Sequence, residues 1–280
     1  MRSVVVDKIA SVTQACGLSH EVRIAADIPA EEGVVVVVEV LNNKSTYNTL
    51  ELTSGRMAKV GKAKLDYNAK LDTRGVPVVA LAGTCMEAGK TAAACAIVSR
   101  MRHRGLVVDA FKATGVSLRR DILAMEDAGA RHSMIFTDLG VVSTTRANGP
   151  ALTRTMLTEL ATGKPDVIVF ELGDGILGTY GVDSILDCPD IRAALTGVAL
   201  SANDPVAAWG GVKLLRERFG VEPCVVTGPA TDNSVGVDII EKQLGVPAFN
   251  AMSNGAALGD RVIEAIGLAG NTRIADGAAA

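Results

Sequence analysis

The 280-residue chain reads as an α/β protein, a parallel-sheet domain preceded by a small, mainly β N-terminal module. Three observations predict this. From Val76 onward, short apolar runs alternate with helix-length segments, the pattern of parallel strands buried on both faces by crossover helices. Most of the helical segments stop at a glycine, which takes the left-handed cap conformation without a Cβ penalty. Residues 1–75 lack this alternation and carry β-branched runs instead.

In the N-terminal module, Val34 to Val40 is β-branched almost throughout. Thr49 to Thr53 is separated from Arg56 to Val60 by Ser54-Gly55, the turn chemistry of a hairpin. The polar stretch Asp72 to Gly75 divides this module from the larger domain, 76–270. Strands of that domain are expected at Val76 to Ala82, Leu106 to Phe111, Asp166 to Phe170, Val198 to Ala202, Pro223 to Thr227 and Val246 to Phe249. Helices are expected at Lys90 to Arg104, Arg119 to Ala128, Ala151 to Ala161, Asp204 to Phe219 and Asp238 to Leu244, with Gly105, Gly129, Gly220 and Gly245 as stops. Pro205 marks a helix start, and Trp209 reads as packing within that helix. The Ala-rich tail, 271–280, reads as flexible.

Composition excludes several classes. Hydrophobic residues make up 48% and charged residues 21%, far from disordered or collagen-like chains. With 28 Lys and Arg against 31 Asp and Glu, a formal charge of −3, no sequence-wide positive field exists to hold nucleic acid or an anionic membrane. Mean hydropathy is +0.29, yet no apolar stretch approaches the roughly 18 residues that span a bilayer. Three valines before Asp7 are too few for the centre of a signal peptide, so a cytoplasmic location is expected. Cys16, Cys85, Cys95, Cys188 and Cys224 contain no C-x-x-C pair, which argues against a disulfide framework or a zinc knuckle. His20, His103 and His132 lack ligand spacing and read as local hydrogen-bonding residues.

The most specific signal is Gly83-Thr84-Cys85-Met86-Glu87-Ala88-Gly89-Lys90-Thr91, placed after a buried strand and opening a helix. Small residues let backbone N–H groups approach phosphates, the helix N-terminus adds positive dipole, Lys90 can reach the β and γ phosphates and Thr91 can ligate Mg²⁺. The loop is one residue longer than the commonest spacing, because Thr84 stands where that pattern has its first glycine. A second signal is Glu171-Leu172-Gly173-Asp174-Gly175, an acid at the end of a buried apolar strand followed by glycines. That arrangement presents a carboxylate to a metal or its waters, and either Glu171 or Asp174 can be that acid. Lys112, at the end of the second strand, points either into the site or into solvent. Arg146, in Ser143-Thr144-Thr145-Arg146, could bind a carboxylate or phosphate.

The loop resembles the phosphate loop of the dethiobiotin synthetase group of P-loop enzymes, typically GTDTEVGKT: Gly83, Thr84, Glu87, Gly89, Lys90 and Thr91 match, and Ala88 replaces Val conservatively. Phe111-Lys112-Ala113-Thr114-Gly115 is similar to that group's YKPxxSG segment, whose lysine points into the active site. Arg120-Asp121-Ile122-Leu123-Ala124-Met125 is similar to SDALAL, whose aspartate helps hold Mg²⁺. The segment at Glu171 is similar to VEGAGG. The resemblance covers three stretches between about Val76 and Gly175 and nothing in 1–75. It implies a P-loop NTPase domain binding ATP and Mg²⁺, with Lys90, Lys112 and Glu171 catalytic and Thr91, Asp121 and Glu171 around the metal. Cys85 for Asp, Met86 for Thr and Leu172 for Gly are departures on the acceptor side, so a different acceptor is expected. A weaker resemblance links the loop to phosphate-loop proteins of unknown function with a GTDCAVGK-type loop, one branch of which is associated with N-acetylation of D-glutamate.

Together these features lead to the expectation of a Mg²⁺-ATP-dependent, ligase-like enzyme that activates a small carboxylate metabolite. The alternatives are a nucleotide-dependent switch or chaperone acting on a protein, and an acyl-CoA-dependent N-acyltransferase. No lysine lies at residues 84–88, where dimeric cell-division ATPases carry one, and no NKxD guanine signature is present. The assembly, including a homodimer, stays open.

Overall fold

The structure, a computed structural model, describes residues 6–9, 22–24, 35–40, 46–53, 56–57, 65–115, 119–141 and 143–269. Val6–Ile9 (β1) pairs antiparallel with Val22–Ile24 (β2). Val35–Val40 (β3) pairs antiparallel with Thr46–Thr53 (β4), which turns back on Arg56–Met57 (β5). The turn residues Ser54 and Gly55, residues 58–60, Cys16, His20 and the tail 271–280 lie outside the described residues.

Six strands form one parallel sheet: Val78–Gly83 (β6), Val108–Lys112 (β7), Ser133–Ile135 (β8), Val167–Glu171 (β9), Leu195–Ser201 (β10) and Val225–Thr227 (β11), in the spatial order β11-β10-β6-β9-β7-β8. The helices among the described residues are Lys90–His103 (α1), Arg119–Asp127 (α2), Gly149–Thr162 (α3), Val182–Leu186 (α4), Pro189–Ala194 (α5), Pro205–Phe219 (α6), Ser234–Leu244 (α7) and Gly255–Ala265 (α8). The chain leaves β6 toward β7 on one side and returns to β10 on the other. Open α/β sheets bind ligands outside the carboxyl ends of the strands at such a reversal.

Successive residues of each strand are buried on opposite faces, which is why the strands read as continuous apolar runs. Val79, Leu81, Val167, Val169 and Ala199 face Ile97, Val98 and Met101 of α1 and Leu258 and Val262 of α8. Val78, Ala80, Phe170 and Leu200 face Leu152 and Met156 of α3 and Val212 and Leu215 of α6. Phe111 and Phe170 stack at 4.7 Å between ring centroids. Leu65, Leu71 and Val76 pack against this second core, and the Asp72 amide donates to Thr158 Oγ1 at 3.0 Å.

Several boundaries differ from expectation for local reasons. Helix α3 starts at Gly149 with Pro150 in its first turn. Helix α7 starts at Ser234, because the Asn233 side chain accepts from the Gly236 amide. Val246 to Phe249 is no strand: it makes a single bridge, Val226 with Ala248, since β11 is three residues long and Pro247 lacks an amide to donate. Strand β8 and helices α4 and α5 are too short to show a period, and the glycines of α8 hide its pattern. Trp209 is not a packing residue. The buried face of α6 is Ala208, Gly211, Val212, Leu215 and Phe219, so Trp209 falls outside it and is half exposed, with the Lys213 ammonium 5.0 Å from its ring centroid. No helix among the described residues is long and apolar enough to cross a membrane.

Helix α1 is held against α8 by close approach and by charge. A Cβ on Gly259 would collide with Arg100 Cβ, and one on Gly255 would lie 3.2 Å from Ala96 Cβ. Asp260 accepts from Arg100 Nε and Nη2 at 2.8 and 2.6 Å, and from Arg104 Nε and Nη2 at 2.9 and 2.7 Å. The Arg100 hydrogen bonds, aided by Arg104, hold the Asp260 carboxyl below its ordinary range. Gly259→Ala should therefore lower stability by about 1–3 kcal/mol in denaturant unfolding, although alanine is the better helix former. Asp260→Asn should cost under about 1 kcal/mol at pH 7. Because the folded pKa is the lower one, that contribution is present above the ordinary aspartate pKa and lost as pH falls through the folded value. Wild-type and mutant melting curves should converge in acid.

Candidate functional site

Strand β6 ends at Gly83 and α1 begins at Lys90, so the predicted phosphate loop spans the centre of the sheet's carboxyl edge. The Thr84 amide ties the loop to β10 by donating to the Ser201 carbonyl at 3.0 Å. Glu87 and Gly89 have φ of 58° and 87°, bending the chain into the helix. Helix α1 has no side-chain N-cap, which leaves its first-turn amides and positive dipole end directed at the loop. A Cβ on Gly83 would lie 2.7 Å from Lys90 Cδ; glycine thus makes room for Lys90 to fold back, and its Nζ donates to the Cys85 carbonyl at 2.7 Å. Lys90 is buried, and burial pushes its ammonium below the ordinary lysine range, opposed first by Glu171 and then by Asp174. Ala88 is buried beneath the loop, and Met86 is exposed at its tip.

Glu171, the last residue of β9, is buried, and its Oε2 accepts from Thr91 Oγ1 at 3.0 Å. Burial raises its pKa; Lys112 opposes this, Asp121 adds to it, and the Thr91 hydroxyl and Lys90 oppose it. Asp174 is also buried but serves its own loop: Oδ1 accepts from the Gly175 amide at 2.7 Å and Oδ2 from the Tyr180 amide at 3.4 Å. Of the two acids the sequence left open, Glu171 is the one bonded to Thr91. A buried ammonium in a loop that opens on a helix N-terminus fits a polyphosphate, and the hydroxyl and carboxylate oxygens of Thr91 and Glu171 fit Mg²⁺, which prefers hard oxygen donors.

Lys112 is buried, not in solvent. It is the register partner of Glu171 across β7 and β9, so both side chains leave the sheet on the α1 face. Its Nζ is paired with Asp121 Oδ2. Asp121 lies in the first turn of α2, with Arg120 Nε 3.6 Å from its other oxygen. Asp121, expected in the metal set, has its carboxylate on the Lys112 ammonium, and its charge is also felt at Glu171. Arg146 is likewise engaged, pairing with Asp183, which is buried and also meets Arg218 at 3.5 Å. A buried carboxylate draws the nearest cations, which accounts for where Arg146 points.

Sequence reasoning did not find the glycines that clamp the loop. A Cβ on Gly175 would lie 2.8 Å from the Thr84 carbonyl, and one on Gly228 would lie 2.8 Å from the Ala202 carbonyl and crowd that of Ala88. Gly228-Pro229 is a turn signal in the sequence, but nothing local shows which backbone it meets. Thr114 and Thr144 were also missed as site supports: Thr114 Oγ1 accepts from the Gly173 amide and Thr144 Oγ1 from the Gly115 amide, both at 2.8 Å.

The parallel sheet, its flanking helices and the loop between β6 and α1 make this a P-loop NTPase-like α/β fold. No protein-family profile and no curated protein sequence matches the chain. Among solved structures it is similar to a DUF1611 family protein from Anabaena variabilis, with a TM-score of 0.51 and 15% identity over 74% of this chain and 64% of that one. It is also similar to the signal recognition particle receptor FtsY from Elizabethkingia anophelis, with a TM-score of 0.50 and 14% identity over 72% of this chain and 68% of that one. The chain thus spans just under two thirds of the Anabaena protein. These likenesses establish the fold and not the narrower dethiobiotin synthetase-like grouping.

Gly173→Ala should test the loop geometry. Its Cβ would be driven into the Thr114 carbonyl and to 2.8 Å from Lys112 Cε, and backbone cannot yield as a flexible side chain does. The variant should lose about 1–3 kcal/mol or more in thermal unfolding; wild-type stability would show that the strand-end loops do not pack as described.

Proposed function

We propose that the chain is a Mg²⁺-dependent enzyme that transfers the γ-phosphoryl group of a nucleoside triphosphate to a small carboxylate-type metabolite, activating it for ligation or cyclisation. The observation that carries this is the Thr91–Glu171 hydrogen bond beside a buried Lys90. ATP rather than GTP is inferred from the loop's resemblance to the dethiobiotin synthetase group. In this reading Lys90 and the first amides of α1 bind and neutralise the β and γ phosphates. Thr91 and Glu171 would hold Mg²⁺, which when bound would neutralise charge on the phosphates. Lys112, one strand beyond Glu171 on the same face, orients the acceptor carboxylate, whose attack yields an acyl phosphate and the nucleoside diphosphate.

A switch acting on a protein partner is favoured by a different observation. The Gly175 backbone rests on Thr84 and Cys85, and Leu177, two residues on, is largely exposed, so a change at the phosphates could be passed to the surface. Thermal-shift measurements with ATP, GTP and acetyl-CoA, each with and without Mg²⁺, separate the readings. Stabilisation by a triphosphate with Mg²⁺ supports a nucleotide enzyme or switch, and phosphate release that rises with a small acceptor rather than a protein supports the enzyme. Stabilisation by acetyl-CoA alone would point to acyl transfer instead.

Two substitutions test the roles. Lys90→Ala should fold normally yet lose about 1.5–3 kcal/mol of triphosphate binding, the worth of a charged hydrogen bond, seen by calorimetry as a drop of about ten- to a hundredfold; unchanged affinity would sink the phosphate-loop assignment. Glu171→Gln keeps the shape and the Thr91 contact, so nucleotide should still bind while Mg²⁺-dependent phosphate release falls sharply. Loss in Asp174→Asn but not in Glu171→Gln would mean the wrong acid has been assigned. With diaminopelargonate, bicarbonate and ATP, dethiobiotin formation should be undetectable in the native protein and in Cys85→Asp, because Met86 and Leu172 also differ on the acceptor side.

A further inference from the structure

Thr91, Glu171, Lys112, Asp121 and Arg120 stand in a row along one face of the sheet's carboxyl edge, from the start of α1 across β9 and β7 to α2, with charges that alternate in sign. Lys112 has two carboxylates within its reach. Glu171 is its register partner on the adjoining strand, and the Coulomb interaction between them is the largest influence opposing the effect of burial on Glu171. Yet among the described residues Lys112 is paired with Asp121, and the bonded partner of Glu171 is Thr91. The Lys112 stem is confined as well as its head. It passes between two glycine backbones, where a Cβ on Gly173 would lie 2.8 Å from Cε and one on Gly115 3.5 Å. Both walls are fixed by threonine hydroxyls, since Thr114 accepts from the Gly173 amide and Thr144 from the Gly115 amide.

We propose that Asp121 is a positioning residue that holds the Lys112 ammonium away from Glu171, in place of the metal-ligand role implied by the resemblance. Charge selection in a buried site supplies the reason. A lysine beside two buried carboxylates pairs with the one that offers the better hydrogen bond, and an unopposed ammonium would close on Glu171 and occupy the oxygens that a cation needs. Asp121 removes that competition, leaving Glu171 to Thr91 and the metal and keeping Lys112 on the acceptor side. The device acts through Lys112 and needs no contact between Asp121 and the ion. This inference rests on the reading of Thr91 and Glu171 as the Mg²⁺ site.

The test is a double-mutant cycle read by binding. Affinity for a non-hydrolysable ATP analogue is measured by calorimetry with and without Mg²⁺ in the wild type, Asp121→Asn, Lys112→Met and Lys112→Met/Asp121→Asn. In Asp121→Asn the gain in affinity from Mg²⁺ should fall about tenfold or more, the usual cost of losing a residue that supports a metal ligand, and in the double variant it should return to the Lys112→Met value. A double variant that stays as weak as Asp121→Asn would make Asp121 a metal ligand and overturn the proposal, as would an Asp121→Asn protein with undiminished Mg²⁺ dependence. If Asp121→Asn does not fold, Lys112→Met/Asp121→Leu, which replaces the buried pair by apolar groups of similar size, takes its place in the comparison with Lys112→Met. A nucleotide-free crystal structure of Asp121→Asn gives an independent readout: Lys112 Nζ bonded to Glu171 supports the proposal, and Lys112 unmoved overturns it. Should the wild type bind no triphosphate with Mg²⁺, the reading of the metal site fails, while the crystal structure still decides what Asp121 does to Lys112.

Discussion

Charge buried at the carboxyl edge of the sheet is the constraint around which this site is arranged. Lys90, Lys112, Asp121 and Glu171 are each buried, where an ionised group without a partner is costly. Each has one: a carbonyl for Lys90, the Asp121 carboxylate for Lys112, the Thr91 hydroxyl for Glu171. The pairing is sparse: among the described residues only Asp121 meets a second charged partner, Arg120 at 3.6 Å. A site of this kind tolerates being buried and still has donors and acceptors to offer an anion and a cation.

The apolar framework makes that burial possible. Strand β6 lies in mid-sheet between β9 and β10, so its loop is flanked on both sides by other strand ends. Backbone therefore packs on backbone there, and glycines stand at Gly175 and Gly228 where any Cβ would strike a carbonyl of the loop or its neighbour. The close seat of α8 on α1, through Gly255 and Gly259, fixes the helix whose N-terminus faces the loop. Packing remote from the site thus sets the direction of the dipole within it.

Much of this was legible in the chain. The strand-to-helix placement of Gly83 to Thr91 located the loop between β6 and α1, because a loop of that composition needs only its own residues and its two flanking elements. Glu171 was legible as a carboxylate at the end of an apolar run. What was not legible has a common cause. Asp174 and Glu171 look alike in sequence, and the difference is that the Asp174 oxygens fall within reach of the Gly175 and Tyr180 amides. Arg146 read either as part of an ordinary polar loop or as an anion binder, and nothing near it in the chain pointed to its partner Asp183, 37 residues later. Trp209 read as helix packing, but the buried face of α6 runs one residue out of phase with it.

Local periodicity and loop chemistry determined that this chain builds parallel strands with crossover helices and places a phosphate-type loop after the first of them. Those features depend on residues near one another in the chain, so spacing alone reveals them. Strand order decided the rest. It set β9 between β6 and β7, and so put Glu171 between Thr91 and Lys112. It also brought Asp121 to Lys112, a pairing among buried charges that depends on distances across the sheet and that no local pattern encodes.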